Sequence, residues 1–161
     1  MWISEYKCLF CDKNILEMDI EEHVTNNCKI RFEKYENGDK YFGEKKNNLK
    51  EGYGIYIYAD GRKYEGEFKN DKKEGFGLEK YSNGDIYMGE FKNGLKEGYG
   101  KLSFYYFGTI YQGEFKNDFR EGYGTVYYPN GGRYEGEFKN DKIEGYGFSY
   151  NSNGNKYRAT F

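Results

Sequence analysis

One phrase recurs through this chain. Tyr64-Glu65-Gly66-Glu67-Phe68-Lys69-Asn70 returns at 87–93, 111–117 and 134–140, with a degraded copy at 41–47. A second phrase follows each copy: Glu51-Gly52-Tyr53-Gly54, Glu74-Gly75-Phe76-Gly77, Glu97-Gly98-Tyr99-Gly100, Glu121-Gly122-Tyr123-Gly124 and Glu144-Gly145-Tyr146-Gly147. The opening tyrosines stand at 41, 64, 87, 111, 134 and 157, a period of 23 residues with one unit of 24. A fixed period of this length marks a repeat array in which each unit packs on its neighbours. The functional question then concerns a surface more than a pocket.

Alternation makes the units strands. Tyr64, Gly66 and Phe68 share one face, with Glu65, Glu67 and Lys69 on the other. In the second phrase Gly75, Gly77 and Tyr81 fall together, against Phe76, Leu78 and Lys80. Asp60-Gly61, Asn83-Gly84, Asn130-Gly131 and Asn153-Gly154 separate the units. Such pairs are the strongest short hairpin signal, because both central residues of a type I′ turn need positive φ. Each repeat therefore reads as two antiparallel strands in one long all-β meander. About twelve strands are expected: one at 30–35, two per repeat, and one at 157–161, spanning about 55 Å. A glycine lets a neighbouring ring lie flat on a sheet. Gly75 and Gly77 are expected to make room for Tyr64, Phe68 or their neighbours. Tyr58, Tyr81, Phe104 and Tyr128, each four residues after the second glycine, should extend one tiled aromatic layer, which Asn151 ends.

The core must come from rings, for the 161 residues include 20 Tyr, 13 Phe and 1 Trp. That aromatic content also excludes disorder, despite the polar average. A formal net charge of −2 with no cationic cluster excludes nucleic acid as a partner, since such binding runs on Lys and Arg releasing counterions. The first residues lack the basic start and apolar run of a secretion signal, and no stretch reaches membrane-spanning length. A cytoplasmic protein is expected.

Tyr-x-Gly-x-Phe, as at Tyr64, Gly66 and Phe68, and Gly-x-Gly, as at Gly75 and Gly77, closely resemble the MORN repeat over residues from about 30 to 161. Proteins of this kind are elongated antiparallel sheets that serve as scaffolds and peptide platforms. They occur in ciliary and basal-body assemblies, in membrane junctions, and beside catalytic domains in some lipid kinases and methyltransferases. The resemblance implies a non-catalytic adaptor in a cytoskeletal assembly, with the cilium or axoneme as the leading location. Its expected docking face carries Tyr64, Phe68, Tyr81, Tyr87, Phe91, Phe104, Tyr111, Phe115 and Tyr128, which would receive a peptide or helix from a protein partner. The alternative is a peripheral membrane or phosphoinositide-binding module. Against it, Lys69, Lys92, Lys116 and Lys139 share their face with Glu67, Glu90, Glu114 and Glu137, which leaves little net attraction to lipid.

The array's ends depart from the pattern. The half repeat 30–40 has Lys29 and Arg31 at the glycine places, and the terminal strand 157–161 has Ala159 there. Atypical end units are expected as caps. The last strand still offers an open edge for self-association. In the 24-residue unit the turn reads Tyr105-Tyr106-Phe107-Gly108, and the extra residue suggests a strand bulge. Exposed rings at a loop tip make Tyr106 and Phe107 further binding candidates.

All three cysteines and the single histidine lie near the start, as Cys8, Cys11, His23 and Cys28. A C-x2-C knuckle followed about a dozen residues later by a His and a fourth ligand is structural-zinc spacing. The segment resembles a C2HC zinc finger, giving a domain at 1–29 ahead of the array at 30–161. Its expected helix, about 14 to 27, carries Glu17, Asp19, Glu21 and Glu22, which suits a cap or a protein-docking module and not a DNA major groove. With these four side chains assigned to Zn2+, no base, nucleophile or open metal site is left, and no enzyme is expected.

Overall fold

The computed structural model describes residues 31–161. Cys8, Cys11, His23, Cys28 and the finger assigned to 1–29 lie outside the described residues. Within them every regular element is a strand: β1 (Arg31–Lys34), β2 (Lys40–Lys46), β3 (Leu49–Ile57), β4 (Lys63–Lys69), β5 (Lys72–Lys80), β6 (Ile86–Lys92), β7 (Leu95–Phe104), β8 (Thr109–Lys116), β9 (Phe119–Tyr127), β10 (Arg133–Lys139), β11 (Lys142–Tyr150) and β12 (Lys156–Thr160). All 12 form one antiparallel sheet in chain order, the meander that the repeat implies. Its spacing follows from strand geometry, so equivalent residues of successive repeats stand about 9.6 Å apart.

Among the described residues the single sheet has no second layer to cover it, yet Tyr41, Tyr64, Tyr87, Tyr111 and Tyr134 are fully buried. Two features enclose each ring, and a third is added at Tyr41, Tyr64, Tyr87 and Tyr111. The floor is glycine: Gly66 pairs directly with Gly77, and a Cβ on Gly77 would stand 2.6 Å from the Tyr64 ring. The walls are phenylalanine. Tyr64 meets Phe68 and Phe91 edge-on at 5.1 Å each, Tyr87 meets Phe91 at 5.1 Å and Phe115 at 4.9 Å, and Tyr111 meets Phe115 at 5.2 Å and Phe138 at 4.9 Å. The result is a continuous zigzag from Tyr41 to Phe161, in which each perpendicular pair contributes about 1 kcal/mol beyond area burial. The roof is a cation. Lys73 lies over Tyr64 at 5.0 Å, Lys96 over Tyr87 at 5.6 Å and Arg120 over Tyr111 at 5.5 Å. The hydroxyls of Tyr41, Tyr64, Tyr87 and Tyr111 donate to the carbonyls of Glu44, Glu67, Glu90 and Glu114. The Tyr134 hydroxyl is buried with no partner among the described residues.

Gly75 plays a different part from Gly77. The β4–β5 register runs Gly66↔Gly77 and then Glu67↔Glu74, so Gly75 and Phe76 form a bulge. Gly75 sits at φ +61, and a Cβ there would strike the Glu67 carboxylate at 2.6 Å. It thus makes room for a carboxylate, not for Tyr64 or Phe68. In the next units the equivalent carboxylates accept the backbone N–H that the bulge frees: Glu90 from Tyr99 and Glu114 from Tyr123, at 3.1 Å each.

The turns are also distributed otherwise than the dipeptides suggested. Positive φ at both central residues belongs to Asn47-Asn48, Asn70-Asp71, Asn93-Gly94, Asn117-Asp118 and Asn140-Asp141, inside the repeats. At Asp60-Gly61 only the glycine is positive. There the Gly61 N–H donates to Tyr58 and the Tyr58 N–H to Arg62, a turn closed by a glycine bulge. The tight turns also clasp the preceding repeat. Asp71 and Asp118 carboxylates accept from the backbone N–H of Lys50 and Lys96 at 2.8 and 2.9 Å. Glu51 and Glu74 accept from Asn70 and Asn93 at 3.0 and 2.9 Å. The repeated glutamates thus hold turns in place, beyond serving as a solvated face.

The extra residue of the 24-residue unit lies in its loop, not in a strand. The β7–β8 register runs unbroken from Gly98↔Phe115 to Phe104↔Thr109, leaving Tyr105, Tyr106, Phe107 and Gly108 as a four-residue connection.

Candidate functional site

The candidate rings fall into three groups. Tyr64, Phe68, Tyr87, Phe91, Tyr111 and Phe115 are buried and form the zigzag itself. Tyr81 and Phe104 are half-buried against it, and Tyr128 is exposed. Tyr106 and Phe107 are 87% and 74% exposed, with Tyr105 beside them at 73%. The aromatic face is therefore mostly spent on closing its own core.

What that face shows to solvent is a row of cations among partly covered rings. Lys50, Lys73, Lys96 and Arg120 stand two residues after the first four tight turns, and Ile143 after the fifth. Lys73 is half-buried and paired with the buried Glu79, and its partial burial lowers its pKa against the pull of that carboxylate. Lys50 and Arg120 reach Asp71 and Asp141 at 3.1 Å. A shallow hollow of about 350 Å³ opens here, lined by Lys50, Tyr56, Tyr58, Phe68, Asp71 and Lys73 among others. Burial pushes the Tyr58 phenol up to about 12. The row carries charge, but its charges are largely answered by adjacent carboxylates.

The opposite face differs. Phe76, Tyr99, Tyr123 and Tyr146, from the second phrase, are 53–59% exposed. Residues directly opposite in a sheet share a face, and Phe76 pairs with Glu90, Tyr99 with Glu114 and Tyr123 with Glu137. Glu67 likewise faces Glu74, and Glu137 faces Glu144. A stripe of rings and carboxylates thus runs across the strands, one ring and two glutamates per repeat. Among the described residues its ion pairing is slight: Lys139 approaches Glu144 at 3.9 Å, and no cation lies within 4.0 Å of Glu67, Glu74, Glu90 or Glu114. Sequence reasoning set these rings aside, although their place inside Glu-Gly-Tyr-Gly repeats as strictly as Tyr-x-Gly-x-Phe. The lysines at 69, 92, 116 and 139 are exposed beyond the stripe, toward the tight turns.

At the loop tip, Tyr105 lies over Gly84 of the neighbouring loop and its N–H donates to Asp85 at 2.8 Å. Tyr105 meets Tyr106 edge-on at 6.3 Å. The backbone is thereby anchored while the outer rings face solvent. At the far end Ala159 pairs with Gly147, Tyr157 is 54% exposed, and among the described residues β12 has no strand on its outer side.

Comparison with known proteins accords with the repeat. A family model described as the MORN repeat matches residues 41–61, 64–86, 87–105, 111–133 and 134–156. No curated protein matches the sequence. Among solved structures, the chain is similar to the TCP domain of Drosophila melanogaster SAS-4 in complex with a proline-rich motif of Ana2, at 14% identity and a TM-score of 0.40, over 80% of this chain and 82% of that one. It is also similar to the TCP10c domain of Drosophila melanogaster Sas-4, at 13% identity and a TM-score of 0.44, over 82% and 99%. Both are loose likenesses.

Proposed function

The chain belongs to the MORN-repeat family, and from that premise we propose that it is a non-catalytic adaptor whose sheet is a rigid frame for docking protein partners. The observation that carries this reading is the division of its rings. The core is closed by the Tyr–Phe zigzag, and the fold makes no evident use of Tyr106 and Phe107, which stand in solvent at an anchored loop tip. Large rings held on a rigid support contribute contact area at low entropic cost. A non-catalytic role is supported by the glutamates of the repeat, which are engaged with backbone N–H groups. The finger at 1–29, with structural Zn2+ on Cys8, Cys11, His23 and Cys28, is proposed from spacing alone. The setting proposed, a cytoskeletal assembly with the ciliary axoneme as first candidate, rests on family resemblance.

A pull-down from a cytoskeletal fraction tests the adaptor reading, with wild type beside Tyr106→Ala/Phe107→Ala and Cys8→Ser/Cys11→Ser. A defined partner recovered by wild type and lost in the loop variant, at unchanged melting temperature, is the expected result. Loss in the cysteine variant alone moves the docking site to the finger. Specific binding to anionic vesicles at physiological salt, with no protein partner, overturns the reading in favour of a membrane module.

A further inference from the structure

We infer that the stripe of rings and carboxylates on the face opposite the zigzag docks a basic peptide in polyproline II conformation that crosses the strands and presents Lys or Arg at every third residue. This rests on the adaptor reading and names the partner's chemistry.

Charge complementarity is the first support. Each unit sets one exposed ring between carboxylates, as Tyr99 directly opposite Glu114. Glu67 faces Glu74, and Glu137 faces Glu144, across paired strands. Like charges in directly opposed positions repel, so a cation seated between them gains from both. The ring beside them supplies a second attraction for the same group through its π face. These carboxylates are fixed by the fold: Glu90 and Glu114 each accept a backbone N–H from the bulge, which orients them before any ligand arrives. Lys69, Lys92, Lys116 and Lys139 share this face toward the tight turns, so the attraction is local to the opposed glutamates and not a net field of the whole face; on the zigzag face the carboxylates are already paired with Lys50, Lys73 and Arg120.

Spacing is the second support. Phe76, Tyr99, Tyr123 and Tyr146 occupy β5, β7, β9 and β11, every second strand of the sheet. Two strand spacings come to about 9.6 Å. Three residues of a polyproline II helix span about 9.3 Å and make one full turn, so every third side chain returns to the same side, whereas in a β-strand it would point the opposite way. One basic residue in three therefore meets one ring per repeat. An α-helical partner would not keep this register, since three α-helical residues advance only about 4.5 Å.

The test is fluorescence anisotropy with a labelled peptide of five Arg-Ser-Ser triplets, against a control carrying the same five Arg at every fourth position. The full chain is compared with Tyr99→Ser/Tyr123→Ser, both exposed positions, and with Tyr106→Ala/Phe107→Ala. Binding of the triplet peptide should weaken at least about tenfold in the stripe variant and for the four-residue spacing, weaken with added salt, and be unchanged in the loop variant. Equal binding of both peptides, or no loss in the stripe variant at unchanged melting temperature, would reduce the effect to diffuse charge and overturn the inference. Absence of binding would overturn it too. If a partner is still captured through the loop tip in either case, the adaptor reading stands without the stripe; if none is captured, both fall.

Discussion

Gly100→Ala should destabilise the sheet by about 3 kcal/mol, a loss expected from forcing one methyl into a closed core. The added Cβ would lie 2.5 Å from the Tyr87 hydroxyl oxygen and from an edge carbon of its ring. The ring has nowhere to move. Gly89 and Gly100 are directly paired beneath it, Phe91 and Phe115 hold its two sides, and Lys96 lies above it. Displacing Tyr87 also breaks its hydrogen bond to the Glu90 carbonyl and opens the zigzag between two repeats. Because each repeat is supported mainly by its neighbours, a break in a central unit uncouples both halves. The melting temperature should fall by about 10 °C. Tyr99→Ala, one residue earlier but on the opposite face and 53% exposed, should move it by no more than about 2 °C. Near-equal effects of the two substitutions would mean that the rings are not packed as described.

Raising the pH past 10 should unfold the protein in one step. Burial raises the phenol pKa values of Tyr41, Tyr64, Tyr87 and Tyr111 well above the ordinary value of 10.0. The unfolded chain releases these protons near pH 10, whereas the folded chain retains them. The unfolded state then binds fewer protons, and stability falls as pH rises. The contribution is fully present below about pH 10 and is lost as pH climbs toward the folded values. Each tyrosine removes about 1.4 kcal/mol per pH unit in that window, so the four together remove about 5 kcal/mol per unit. That slope exhausts the stability of an ordinary domain within two or three pH units. Phenolate absorbance of the buried tyrosines should rise along the same curve as the loss of far-ultraviolet circular dichroism. Full ionisation with the sheet intact would show that these hydroxyls are not enclosed.

Much of this architecture is legible in the sequence, because the period fixes strand number, order and pairing. Tyr64 and Phe68 could be placed on one face from alternation alone, and Gly77 could be placed beneath a ring. Two physical features are hidden in the same letters. Gly75-Phe76-Gly77 reads as continuous alternation, yet Gly75 takes a left-handed backbone and inserts a bulge. That conformation depends on the Glu67 carboxylate arriving from the paired strand, a cross-strand condition invisible to a local pattern. The second is the roof. Alternation names the rings that share a face without saying what covers them, and Lys73, Lys96 and Arg120 fold their chains over Tyr64, Tyr87 and Tyr111. Their recurrence two residues after successive tight turns was the available signal. Asn-Gly likewise drew attention from Asn70-Asp71, where side-chain contacts to the preceding repeat let non-glycine residues accept positive φ.

The central claim is that one face of the sheet is a closed aromatic core while Phe76, Tyr99, Tyr123 and Tyr146 on the other face and the rings of the loop tip are exposed. Acetylation of tyrosine hydroxyls in the native protein, mapped by peptide mass spectrometry, tests it most directly. Tyr99, Tyr106, Tyr123 and Tyr146 should be modified early, and Tyr41, Tyr64, Tyr87 and Tyr111 should stay protected until the chain is denatured. Early modification of Tyr64 or Tyr87 in folded protein, with Tyr99 or Tyr123 protected, would contradict the account by exchanging the closed face with the open one.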